Sequence, residues 1–492
     1  MFVLQSAGGS VSVFGKQIAN GAFWAAAETW GRQAAMFAVF VVLARHLSPE
    51  AFGLAALSMV VPNIFAAPVT RGLPDAIIQR AEIEPIHLDS AFWLLISTGA
   101  VISTFIWMSA GMIAAAFEQP QLYALVKWTS AVVVIQAFNV VPAAILKREL
   151  SFRLFAVRTL TGSVVGGTLG VAMALAGFGV WSLVWMQLTK AIVETSVILI
   201  GSTWKPRFRF SFARIRELFG FAGPLIVQTL WNLGNDELPK IVLGAFLGPS
   251  AVGIYALARR PLDLLVEFLL WPIMAITMPT ISRIQAQPEK IDSFFNTTIR
   301  VAGIIGFPAF FGFAAVAPVA VPFIFGQHWS VGVVAVQILM ILGVQRTVDG
   351  ICAYTILALG RSGLLLKLNM IYTALALVFI TGGVQVSFAW AIAGLVASNV
   401  LLLPVFLVQI RRIAHIDVLR PLVIFPRLAL ASIVMFALVS MWVRGAPANA
   451  APSFVLIGGI FVGAIVYAAA SFMLVRPDLL NARNFVLGLR AR

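Results

Sequence analysis

Apolar residues fall in long blocks along almost the whole chain, broken by Pro, Gly and short basic clusters. A helix needs roughly 20 apolar residues to cross the hydrocarbon core of a bilayer. The blocks meet that length and predict fourteen spans. They cover residues 18–44, 52–72, 91–117, 122–146, 155–177, 179–201, 217–244, 251–279, 296–325, 331–358, 364–383, 386–410, 423–443 and 453–475. No gap between them exceeds about twenty residues, so no soluble catalytic domain fits between spans. The expected fold is an all-α polytopic membrane protein.

Composition agrees. The 492 residues are 61% hydrophobic and 11% charged, against about 45–50% and about 25% in soluble domains. This excludes a water-soluble enzyme, and high hydrophobicity excludes disorder. The net charge of +15 would suggest nucleic acid in a soluble chain. Here its placement decides otherwise, and no nucleic-acid partner is expected. Lys147, Arg148, Arg153 and Arg158, then Lys205, Arg207, Arg209, Arg214 and Arg216, fall in loops or at the adjoining span ends on one side, as do Arg411, Arg412, Arg420 and Arg427. The opposite side holds only Arg45 and Arg444. Cationic loops stay cytoplasmic, so both termini are predicted there. No cleaved signal peptide, metal-ligand spacing or nucleotide-binding loop is read, and Cys352 stands alone.

The chain also predicts an internal duplication. Residues 47–57, LSPEAFGLAAL, match residues 247–257, LGPSAVGIYAL, with Leu, Pro, Ala, Gly, Ala and Leu identical at an offset of 200. Each stretch joins the first and second helices of a six-helix unit. An even helix count makes the copies parallel, related by an axis along the membrane normal. The expected organisation is an N-lobe over 1–201, a C-lobe over 202–410, and two added helices with a tail over 411–492. Two such lobes suit alternating access about a site near the midplane.

Charges inside spans are costly, and they usually face a cavity or a partner. Arg32, Lys190 and Arg346 lie near mid-span, while Arg259 and Arg260 lie about a third of the way in. Glu28–Arg32, Lys190–Glu194, Asp236–Lys240 and Arg259–Asp263 are spaced for pairing along a helix, as is Arg346–Asp349. Span 7 is the most polar, and Gln228, Asn232, Asp236 and Lys240 follow one face. The candidate substrate-binding residues are therefore Glu28, Arg32, Lys190, Asn232, Asp236, Lys240, Arg259, Arg260 and Arg346. Arg chelates phosphate oxygens in pairs of bonds and Lys acts as a point charge. The acids suit a coupling H+ or Na+, which the sequence leaves open. No other cofactor and no catalytic residue is predicted. Gly162, Gly166 and Gly170 read as a small-residue stripe for close helix packing.

Leu43-Ala-Arg-His-Leu-Ser-Pro-Glu-Ala-Phe-Gly-Leu54 and Gly72-Leu-Pro-Asp-Ala-Ile-Ile-Gln-Arg80 resemble the opening of bacterial polysaccharide flippases. These are the Wzx-type translocases of the multidrug/oligosaccharidyl-lipid/polysaccharide exporter superfamily. The stretches Gly244–Gly248, Gly253–Ala258, Met278–Gln285 and Leu359–Arg361 are similar to the same family. The resemblance implies two six-helix lobes around a V-shaped cavity, with two further helices. It implies transfer of an oligosaccharide on a polyprenyl diphosphate from the inner to the outer leaflet of the bacterial inner membrane. Membrane lipids and a polysaccharide polymerase or export machinery would be its partners. Two alternatives remain. One is an H+- or Na+-coupled multidrug antiporter, which the mid-membrane cations oppose. The other is a polytopic polymerase or ligase, which the short outer loops oppose.

Overall fold

The computed structural model describes residues 31–490 except 415, 418 and 448. No strand occurs among the described residues. Helix α1 covers 31–46. Ser48 starts the next helix: its Oγ accepts the Ala51 N–H at 3.3 Å, and Pro49 takes the first helical position. That helix, α2 (Pro49–Phe65), bends by 54° into α3 (Ala67–Thr70) and α4 (Leu73–Gln79). Then come α5 (Pro85–Ala116), α6 (Gln121–Arg148), α7 (Phe152–Leu175), α8 (Val180–Gly201) and α9 (Phe212–Leu265). The last is two helices joined at Gly248, whose φ of 78° and ψ of −179° suit only glycine. A π-helical turn, Val266–Leu270, leads into α10 (Trp271–Arg283). The rest is α11 (Pro288–Phe325), α12 (Val333–Ala358), α13 (Ser362–Val384), α14 (Phe388–Ala414), α15 (Leu419–Gly445) and α16 (Pro452–Arg490).

Within the described residues, every predicted span falls largely on helix. Among the described residues, eleven helices are long and apolar enough to cross a membrane, or twelve if the bent pair Pro49–Phe65 and Ala67–Gln79 is one span. The predicted figure of fourteen differs for two local reasons. Span 1 lies partly outside the described residues, and the loop expected between spans 7 and 8 shrinks to the single break at Gly248. The continuous stretch Ile226–Arg283 is 58 residues long. At 1.5 Å per residue that is about 87 Å, far more than one crossing requires.

The chain divides into two compact units, Met1–Gly253 and Ile254–Arg492. In the first, α6 is the hub: 67% of its most apolar window is buried, and it packs against α2, α4, α5 and α8. The glycine stripe on α7 lies against the α8 backbone. A Cβ on Gly166 would stand 2.8 Å from the Met186 carbonyl oxygen, and one on Gly162 would stand 3.2 Å from that of Lys190. On α5, Val101, Phe105, Met108 and Met112 form an exposed stripe at helical spacing. Water would not tolerate such a face, whereas lipid does.

The two duplicated stretches touch each other reciprocally. A Cβ on Gly53 would come within 1.7 Å of the Pro249 carbonyl oxygen, and one on Gly253 within 1.8 Å of that of Pro49. Position 53 meets 249 as 253 meets 49, so equivalent points of the two copies meet as they would across a local two-fold axis.

In the second unit α11 is central. Helix α15 packs on it through Leu428 against Phe307 and through Met435 and Val439 against Ala315, Val316 and Ala320. Phe307 and Phe425 stack at 5.8 Å. Helix α16 adds a hydrogen bond from Tyr467 Oη to the Ile304 carbonyl at 3.0 Å. With only 17% of its window buried, α16 presents most of its apolar surface outward.

Candidate functional site

Of the residues singled out by spacing, Glu28 lies outside the described residues. Arg32, Lys190, Asn232, Asp236 and Lys240 belong to the first unit, and Arg259, Arg260 and Arg346 to the second. All the arginines and lysines among them are half-buried, whereas Asn232 and Asp236 are exposed. The Arg259–Asp263 pair is present at 3.4 Å, and Tyr255 Oη lies 3.3 Å from Arg259. Arg346 and Asp349 interact as charges on α12.

On α9 the ion pair given by the structure for Lys240 is with Glu237, at 2.7 Å. Glu237 is 4% exposed and also accepts a hydrogen bond from Asn63 of α2 at 3.0 Å. The polar face of span 7 thus splits. Asn232 and Asp236 turn outward, and Glu237 turns in to tie α9 to α2.

The start of α9 is fixed at its cationic end. Asp89 accepts the Arg207 N–H at 3.1 Å, and Ser90 accepts that of Ser211 at 2.9 Å. Trp93 stacks on Phe208 at 4.6 Å and donates to the Arg207 carbonyl. Glu217 bonds Arg80, His87 and Arg214. The hydrogen bonds from Arg80 and then His87 hold its carboxyl at a pKa of about 2, well below the usual 4.5.

A polar cavity of about 300 Å³ opens inside the first unit. Arg71 stands at the bend before α4, Lys147 at the end of α6 and Arg158 on α7. Asp75 and Glu194 supply acids, and Gln136 and Asn139 supply amides. Arg158 is held in place: it donates to Asn139 Oδ1 at 2.8 Å, lies 3.8 Å from Glu194 and covers the Phe155 ring at 4.4 Å. Lys147 sits over the same ring at 4.9 Å. Spacing assigned Arg158 and Lys147 to a topology-setting loop. Spacing gave the acid on span 6, Glu194, a partner in Lys190 of its own helix; the structure also sets it 3.8 Å from Arg158 of α7.

Comparison with known proteins then places the chain. The profile of the polysaccharide biosynthesis protein family matches residues 42–334. The succinoglycan biosynthesis transport protein ExoT of Rhizobium meliloti is 27% identical over 65% of this chain. This chain spans 65% of that relative's length. The lipopolysaccharide biosynthesis protein WzxC of Escherichia coli is 27% identical over 75% of each chain. Among solved structures, the lipid II flippase MurJ in an inward closed conformation shares the fold with a TM-score of 0.77, at 14% identity over 92% of this chain and 99% of that one. An inward-facing multidrug resistance transporter of the MATE family in the MOP superfamily also shares it, with a TM-score of 0.64 at 18% identity over 77% of this chain and 94% of that one. With more than half its length matched by one profile, this multi-pass helical membrane protein belongs to the polysaccharide biosynthesis protein family.

Proposed function

We propose that the protein is a flippase for lipid-linked oligosaccharides. It moves a polyprenyl-diphosphate-linked repeat unit from the inner to the outer leaflet of a bacterial inner membrane for exopolysaccharide or lipopolysaccharide synthesis. The observation that carries this reading is the family match, with relatives named for succinoglycan transport and lipopolysaccharide biosynthesis. The lobes are residues 1–201 and 202–410, with helices 13 and 14 and the tail in 411–492. The residues proposed to meet the anionic head group are Glu28, Arg32, Lys190, Asn232, Asp236 and Lys240 in the first part of the chain and Arg259, Arg260 and Arg346 in the second. Cations at these depths favour an anionic diphosphate over the organic cations of an antiporter. The polyprenyl tail stays in lipid, and a coupling H+ or Na+ would act through the acids. Both termini are cytoplasmic, on the side of the basic loops. A polysaccharide polymerase would receive the flipped unit.

Deleting the gene tests this reading. Lipid-linked repeat units should accumulate in the inner leaflet, and the wild-type gene should clear them. Arg32→Ala and Arg346→Ala should insert normally and fail to clear them. A deletion strain that traps no repeat unit would overturn the flippase reading, and full export by both variants would remove the two arginines from the site.

A further inference from the structure

None of the first unit's candidate substrate-binding residues, Arg32, Lys190, Asn232, Asp236 and Lys240, lines the cavity inside it; of the positions paired by spacing, only Glu194 does. Its mouth lies at the cationic end of the helices, since Lys147 sits in the last turn of α6 beside Arg148. Gln136, also on the lining, is eleven residues deeper on that helix. That places the floor about 16 Å from the mouth.

The three cations differ in exposure. Arg158 is oriented by Asn139, Glu194 and the Phe155 face. It forms a fixed wall, and its positive charge offsets the negative charge of Glu194. Arg71 and Lys147 are exposed at the rim, with Lys147 resting on Phe155. A fixed guanidinium behind two exposed rim cations makes a clamp for phosphate oxygens. Asp75, Gln136 and Asn139 offer acceptors and donors of the kind that bind sugar hydroxyls. An inorganic cation would meet more positive than negative charge on these walls. The volume stands at the lower end of the range for small-molecule pockets, roughly 300–1,000 Å³.

We propose that this cavity is a loading site, within the first unit, for the phosphorylated sugar end of the lipid-linked substrate, occupied on the cationic side before translocation. The proposal rests on the flippase reading for its direction, but its binding chemistry is tested without transport. Full-length protein in phosphatidylcholine nanodiscs is titrated with glucose 1-phosphate, inorganic pyrophosphate and, as the uncharged control, glucose. Thermal unfolding is the readout. Both phosphates should raise Tm saturably, and glucose should not. Arg71→Ala and Lys147→Ala should each weaken phosphate binding about tenfold, the effect of losing one charge-assisted hydrogen bond. Lys147→Arg should retain binding. Arg412→Ala, an exposed cation at the end of α14, should bind as wild type. Lys147 is exposed, so its replacement removes little packing, and the Tm without ligand checks that each variant folds.

Absence of stabilisation by either phosphate would overturn the proposal, as would wild-type binding by both rim variants. Stabilisation only when phosphatidylglycerol is added to the discs would assign the cavity to an ordinary anionic lipid and overturn it too. In the deletion strain, the Arg71→Ala/Lys147→Ala double variant should leave repeat units in the inner leaflet. If deletion traps repeat units and the double variant clears them fully, loading through this cavity fails while the flippase reading stands. If deletion traps none, the flippase reading fails, and the nanodisc titration still decides whether the cavity binds phosphate.

Discussion

Asp236 and Glu237 are neighbours in sequence but point about 100° apart around the helix. Spacing alone drew attention to Asp236, because it stands four residues before Lys240. Packing instead buries Glu237, which accepts from both Lys240 and Asn63. Glu237→Ala removes the acceptor of both donors and should lower stability by about 1–3 kcal/mol. Glu237→Gln keeps an acceptor for Asn63 and should cost less. Thermal unfolding of the purified variants checks this, and an unchanged Tm for Glu237→Ala would contradict the role given to the pair. Glu217 gives a pH-dependent counterpart. Its folded pKa of about 2 lies below the ordinary 4.5. Its contribution is therefore full above about pH 4.5 and fades as pH falls toward 2. Glu217→Gln should lower Tm at pH 7 and flatten the fall in Tm between pH 5 and pH 3. A wild-type acid profile in that variant would show that the Arg80–Glu217–His87 cluster does not hold the start of α9.

Among elements, the parts legible in the sequence were those set by local chemistry. The stripe at Gly162, Gly166 and Gly170 appears where its residue types require, and of the two loops expected in the duplicated stretches only the one before Pro49 does. The cavity was not legible, because its walls come from α4, α6, α7 and α8 and exist only after packing. Arg158 shows the reason. It follows the Lys147-Arg148-Glu149 turn closely enough to read as one more loop cation, yet α7 begins at Phe152 and carries it inward to Asn139 and Glu194. The duplicated glycines support a direct test of element contact. An added methyl on Gly53 or Gly253 would meet a backbone oxygen, which has no rotamer by which to escape. Each Gly→Ala change should force the strands of chain apart at a cost of about 1–3 kcal/mol. The double variant should cost less than the two singles together, since the first already opens the shared contact. Gly363→Ala, with nothing within 4 Å of the added carbon, is the control and should unfold as wild type. Additive losses in the double variant would show that the two contacts are independent.

At the scale of the whole molecule, hydropathy placed the described part of every span largely on helix, and the distribution of cations predicts direction. Gly248 is where counting by gaps departs from counting by helices: one left-handed residue turns the chain without the loop that a sequence reading expects. The direction expected from the sequence rests on which helix ends carry basic residues. Helix α6 closes on Lys147 and Arg148, α10 on Arg283 and α14 on Arg411 and Arg412, whereas α15 closes on Arg444 alone. Basic loops resist translocation, so the Lys147, Arg283 and Arg411 ends should all be cytoplasmic and the Arg444 end should not. A fluorescent protein fused after Arg492, which folds only in the cytoplasm, should fluoresce. Alkaline phosphatase inserted between Gly445 and Ala451, which is active only outside it, should be active. The reverse pair of results would invert the protein in the membrane. The clamp formed by Arg71, Lys147 and Arg158 would then face the compartment in which a flipped repeat unit is released, and its direction of use would change from loading to release.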